Sequence, residues 1–95
     1  MVSFTVRMKF AAEDHHQVKQ YLAELATASR LEPGCVCYIP HFVEDDHEMV
    51  LIYEQYKDEE ALNFHRNTPH FQKYAIGGLY QMMRDRAIEN LIAVS

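Results

Sequence analysis

Residues 53–71 read Tyr53-Glu-Gln-Tyr-Lys-Asp-Glu-Glu-Ala-Leu-Asn-Phe-His-Arg-Asn-Thr-Pro-His-Phe71, and their reading decides the fold. An apolar run, Met49 to Tyr53, ends in Glu54-Gln55-Tyr56 and reads as the close of a strand. Asp58 then stands where a side-chain cap opens a short helix carrying Leu62 and His65. Thr68-Pro69 opens a second helix with His70 and Phe71 in its first turn. A strand followed by two consecutive helices must fit into whatever the flanking segments form.

Upstream, Val2, Phe4, Val6, Met8 and Phe10 alternate with Ser3, Thr5, Arg7 and Lys9, the pattern of a half-buried strand over residues 2–10. Asp14 is a candidate cap for a helix from about His15 to Leu31, in which Val18, Tyr21, Leu22, Leu25, Ala26 and Ser29 recur at helical spacing. Glu32-Pro33-Gly34 stops that helix, with Gly34 expected at positive φ. Cys35–Val43 and Glu48–Tyr56 predict a hairpin, and the acidic turn between them lacks glycine, so a loop of four or five residues is expected. Downstream, Phe71, Tyr74, Ala75, Gly78, Leu79 and Met82 share one face of the last helix, and Gly77-Gly78 predicts a kink or a close backbone approach. Residues 87–94 complete the order β-α-β-β-α-α-β. That order predicts an α+β, ferredoxin-like, four-stranded antiparallel sheet with its helices on one face, as a single domain over residues 1–95.

Composition excludes several classes of function. A net charge of −5 without a cluster of Lys and Arg disfavours nucleic acid as a partner. No stretch reaches the ~18 consecutive apolar residues of a membrane span. Without a recognisable secretory leader the expected compartment is the cytoplasm, where Cys35 and Cys37, two apart on one strand, are expected as free thiols. The third strand is apolar on both faces, at Met49-Val50-Leu51-Ile52-Tyr53, although helices can cover only one. The expected second cover is another copy of the chain, giving a homodimer in which two sheets pack face to face.

The candidate chemistry centres on two of the six histidines. His65 follows Leu62 by three residues and shares its inward face, and His70 sits beside a helix N-terminus, where a charged imidazole is disfavoured. A solvated or structural role competes with the catalytic one at each. Glu54 could be imagined with both as a metal-binding trio, but no HxH or HxxxH spacing supports it, and no metal or cofactor is expected. Tyr53, Tyr74, Leu79 and Met82 are candidate walls of an apolar substrate pocket, with core packing as the plainer reading of the last three.

Glu-Pro-Gly-Cys-x-x-Tyr at residues 32–38, the Tyr-Glu-x-Tyr-Lys-Asp-Glu run from Tyr53, and Thr-Pro-His-Phe at residues 68–71 resemble the antibiotic biosynthesis monooxygenase (ABM) family over nearly the whole chain. The resemblance is to its small single-domain members. These include cofactor-independent quinol monooxygenases and the isomerases that process phosphorylated autoinducer. It implies a dimeric α+β barrel and an apolar pocket between sheet and helices. In that pocket a neutral imidazole deprotonates a dihydroxy-aromatic substrate, which then reduces dioxygen without flavin or metal. An isomerase would need a phosphate site instead, for which Arg7, Arg66, Lys73, Arg84 and Arg86 are candidates. A non-catalytic ligand-binding protein is the third class. Haem-degrading relatives use an asparagine, a tryptophan and a histidine, whereas this chain has no Trp and places Val6 and Ala75 near the other two positions.

Overall fold

The computed structural model describes residues 1–95. Strand β1 (Val2–Lys9) leads through a single 3-10 turn (Ala12–Asp14) into helix α1 (His15–Ser29). Strands β2 (Cys35–Val43) and β3 (Asp46–Tyr56) follow, then α2 (Glu59–Arg66). Helix α3 is a π-helix over Phe71–Leu79 that runs into one α-turn, Tyr80–Met82, and strand β4 (Asp85–Leu91) closes the chain. The sheet order is β2-β3-β1-β4, antiparallel throughout. This is the ferredoxin-like α+β fold that the element order predicts. No helix is long and apolar enough to cross a membrane.

The alternation along β1 places Phe4, Val6 and Met8 under the helices, where they meet Val18, Leu22, Leu25 and Ala26 of α1 and Val50 and Ile52 of β3 in one core. Leu62, Ala75 and Leu79 extend that core from α2 and α3. On the far side of β3, Met49, Leu51 and Tyr53 are only half-buried.

Four local expectations change. Asp14 makes no side-chain cap bond, because the 3-10 turn already delivers the chain into α1. The β2–β3 connection is two residues, Glu44-Asp45, with Val43 paired to Asp46, and a register shift between Phe42 and Val43 closes it without any residue at positive φ. A second shift, between Cys35 and Cys37, bulges Val36 outward and turns Cys35 onto the core. Burial there pushes the Cys35 thiol up to about 11, so it is an inert thiol. At the other end of the chain β4 stops at Leu91 rather than Val94. Its only neighbour is β1, whose pairing runs out at Ser3↔Leu91, and Ile92 and Val94 lie fully exposed beyond it.

Gly34 is the fourth, and it matters most for the site. Its φ is not positive. Glycine is required there because a Cβ would collide with Ala61 Cβ of α2, while Gly34 O accepts the Lys57 N–H at 3.0 Å. The α1–β2 loop therefore lies flat against α2. Gly34→Ala should force the two apart, costing about 1–3 kcal/mol as overpacking does; a urea midpoint unchanged from the parent would contradict this contact.

Candidate active site

Docking of that loop on α2 builds the site. Asp58 caps α2 by accepting the Ala61 N–H at 2.8 Å, as its sequence position predicts. One turn beyond Ala61 on the same face comes His65, fully buried. Two residues before Gly34 comes Glu32, also buried, and its Oε2 lies 2.8 Å from His65 Nδ1. Thr68 then bends the chain, donating its hydroxyl to His65 O at 2.7 Å and accepting the Phe71 N–H at 3.2 Å. That bend swings His70 back, so that its Nε2 lies 2.6 Å from the same Glu32 oxygen. One carboxylate thus holds both histidines.

A carboxylate can only accept, so with Glu32 ionised each ring nitrogen facing it carries a hydrogen. His65 is thereby held with Nδ1–H toward Glu32 and Nε2 toward the sheet, the orientation in which a paired imidazole acts as a base at Nε2. The rings of Tyr56 and Phe71 pack around it, each with its centroid 5.1 Å away. On the Nε2 side stands Glu54, with Oε1 at 3.8 Å, and Tyr56 donates its hydroxyl to that same oxygen at 2.7 Å.

Desolvation raises the Glu54 pKa above the ordinary glutamate value of 4.5, against the opposing pull of the Tyr56 hydrogen bond, His65 and Arg66. The folded protein therefore favours the protonated form of Glu54 more than the unfolded chain does, and its stability falls as pH rises from the unfolded pKa through the raised folded one. Glu54→Gln keeps an acceptor for Tyr56 and cannot ionise. Relative to the parent it should gain stability as pH is raised from 4 to 8, read from urea midpoints; a parallel pH dependence of the two proteins would count against a strained Glu54.

His65 and Glu54 open onto a cleft of about 160 Å³ between α2, α3 and the β1–β4 edge, lined also by Phe4, Val6, Leu62, Phe71 and Ile88. Ile76 and Tyr80 of α3 and the guanidinium-bearing Arg66 and Arg86 complete it. The π-helical winding of α3 brings Phe71, Ile76 and Tyr80 to one wall, and π segments recur at functional sites. Gly78 in its middle sits where a Cβ would press on the Tyr21 ring at 3.1 to 3.3 Å, the close approach that the glycine pair predicts.

Of the residues expected from sequence, His65 reaches the cleft and His70 stands behind it through Glu32. Tyr53 lies on the opposite face of β3 from Glu54, away from the cleft. Tyr74 packs against Tyr21, Met82 is half-buried against the core, and Leu79 lies under the cleft in the core itself. The wall thus passes from Tyr53, Tyr74, Leu79 and Met82 to Phe4, Leu62, Phe71, Ile76, Tyr80 and Ile88. Glu32 is the residue that sequence reasoning missed, although it begins the Glu-Pro-Gly-Cys motif. His15 and His47 lie together elsewhere, with His15 Nδ1–H donating to His47 O at 3.2 Å, and His41 Nδ1–H donates to Leu51 O at 3.0 Å.

Glu32, His65 and His70 also form a two-histidine, one-carboxylate set whose ligand atoms lie within 4.8 Å of one another. It includes Glu32 rather than the Glu54 considered from sequence. Its separations of 2.8 and 2.6 Å are hydrogen-bond lengths. Around a tetrahedral ion with bonds of ~2.1 Å the donors would stand ~3.4 Å apart, so a metal would have to spread the set.

The family profile of the antibiotic biosynthesis monooxygenases matches residues 1–75. The chain belongs to the ABM family. The solved structure of one antibiotic biosynthesis monooxygenase superposes with a TM-score of 0.92 at 24% identity, covering 100% of each chain. PA3566 of Pseudomonas aeruginosa gives 0.89 at 26% identity over 99% of this chain and 94% of its own. A Bacteroides thetaiotaomicron protein named as a candidate antibiotic biosynthesis monooxygenase gives 0.91 at 29% identity over 99% of this chain and 90% of its own. Among curated proteins, the uncharacterised sll1783 of Synechocystis is 35% identical over 46 residues, which are 48% of this chain and 31% of that protein. The chain spans about a third of the curated relative that it matches. ABM membership puts the sheet-to-helix cleft of this chain in a family named for monooxygenation.

Proposed function

We propose that this ABM-family chain is a cofactor-free monooxygenase of a quinol or other dihydroxy-aromatic compound. The observation that carries the reading is His65, held by Glu32 at Nδ1 and presenting Nε2 to an apolar cleft. Nε2 takes a proton from a substrate hydroxyl, and Glu32 stabilises the imidazolium that forms. The resulting monoanion passes one electron to dioxygen, the radical pair joins as a peroxide, and His65 returns its proton. Loss of water leaves a hydroxylated quinone, so one oxygen atom enters the product and the other leaves as water. The apolar walls keep bulk water from the intermediates.

Two copies are proposed to pair through the open sheet face carrying Leu51 and Tyr53, and the two free cysteines suit a reducing cytoplasm. A second reading is favoured by one observation: Arg66 and Arg86 at the cleft suit a phosphate, and an isomerase acting on a phosphorylated autoinducer-like molecule could use the same base.

Turnover of dihydroxy-aromatics in an oxygen electrode decides between them. The oxygenase consumes one dioxygen per substrate, stops under nitrogen and is unaffected by EDTA; the isomerase ignores oxygen. Activity that disappears with EDTA and returns with added iron would overturn the cofactor-free reading.

A further inference from the structure

The cleft is small and its polar groups are sorted by depth. Its volume of about 160 Å³ is close to the ~150 Å³ of an apolar cavity that takes up one benzene molecule. A second fused ring would have to extend past the rim or push α2 or α3 aside. Glu54 and His65 lie at the buried end, 5% and 2% exposed, whereas Arg66 and Arg86 are both exposed at the rim.

The two arginines come from separate elements, the last residue of α2 and the β4 position paired with Met8. Neither guanidinium has a carboxylate within 4.0 Å, although the chain carries 14 Asp and Glu against 9 Lys and Arg. Arg86 lies over the Tyr80 ring, 5.0 Å from its centroid. Burial raises the Tyr80 hydroxyl pKa while Arg86 and Arg66 both oppose the rise, which places both cations near one phenol. Two unpaired cations beside an apolar slot in an acidic chain form a site for an anionic group.

We propose that the cleft takes a one-ring aromatic diol bearing an anionic substituent, a carboxylate or phosphate, with a ring hydroxyl at His65 and the anion between Arg66 and Arg86. The diol part rests on the oxygenase reading; the ring size and the anion do not.

Anaerobic calorimetric titration tests it with dihydroxybenzoate, catechol, a naphthalenediol and a phosphorylated sugar as probes. The parent should bind dihydroxybenzoate at least about tenfold tighter than catechol, with the advantage shrinking as salt is raised. The Arg66→Gln, Arg86→Gln double variant should bring dihydroxybenzoate down to the affinity of catechol. Equal affinities in the parent, an advantage that survives in the double variant, or tightest binding of the naphthalenediol or the sugar overturns the proposal. Admitting oxygen afterwards separates the two readings. Selective dihydroxybenzoate binding without oxygen uptake leaves this site standing and removes the oxygenase, and arginine-independent oxidation of the naphthalenediol does the reverse.

Discussion

His65→Ala should lower turnover per folded molecule by at least about 10²-fold, the usual contribution of a positioned general base. The loss should fall on kcat, because the ring carries little of the substrate contact that the apolar walls provide. Glu32→Gln should lower the rate by one to two orders of magnitude while His65 is still in place, since an amide can present its NH₂ to Nδ1 and favour the wrong tautomer. A purely structural His65 behaves differently: the variant unfolds at lower urea, yet its folded fraction turns over substrate at nearly the parent rate. Normalising rates to the folded fraction therefore separates the two roles.

Leu51→Asp should convert the protein to a monomer or an aggregate. Leu51 is half-buried on the open face of β3, beside Met49 and Tyr53, with no helix over it. If a second copy supplies the cover, an aspartate at that position must be buried without a partner, a cost of several kcal/mol that a dimer interface does not tolerate. Sedimentation at micromolar concentration should give twice the chain mass for the parent and not for the variant. A soluble, fully dimeric Leu51→Asp protein would place the interface elsewhere, and a monomeric parent would remove it.

Much of the fold was legible because it rests on local periodicity. The alternation of β1, the inward stripe of α1 and the Asp58 cap each follow from a few neighbouring residues, and all three stand where expected. His65 was legible for the same reason, sharing a face with Leu62. What escaped depends on distant chain. Glu32 reads as a solvated residue at a helix end until Gly34 presses its loop onto Ala61, and its two partners lie 33 and 38 residues away. Arg66 and Arg86 meet at one cleft only because β4 pairs with β1, which no local pattern states. The π winding of α3 left only its glycine pair as a signal, so a 3.6-residue period assigned Tyr74 and Met82 to a wall built instead from Phe71, Ile76 and Tyr80. Tyr53 was a candidate wall, yet strand alternation permits only one of Tyr53 and Glu54 at the cleft, and it is Glu54.

The central claim is that His65 takes a proton from the bound diol, and an anaerobic absorbance spectrum of the complex at neutral pH tests it most directly. With dioxygen excluded, the parent protein should hold the diol as its anion, with the red-shifted band of a phenolate, and His65→Ala should hold it neutral. A neutral diol bound to the parent, or the same anion bound to both proteins, would contradict the account.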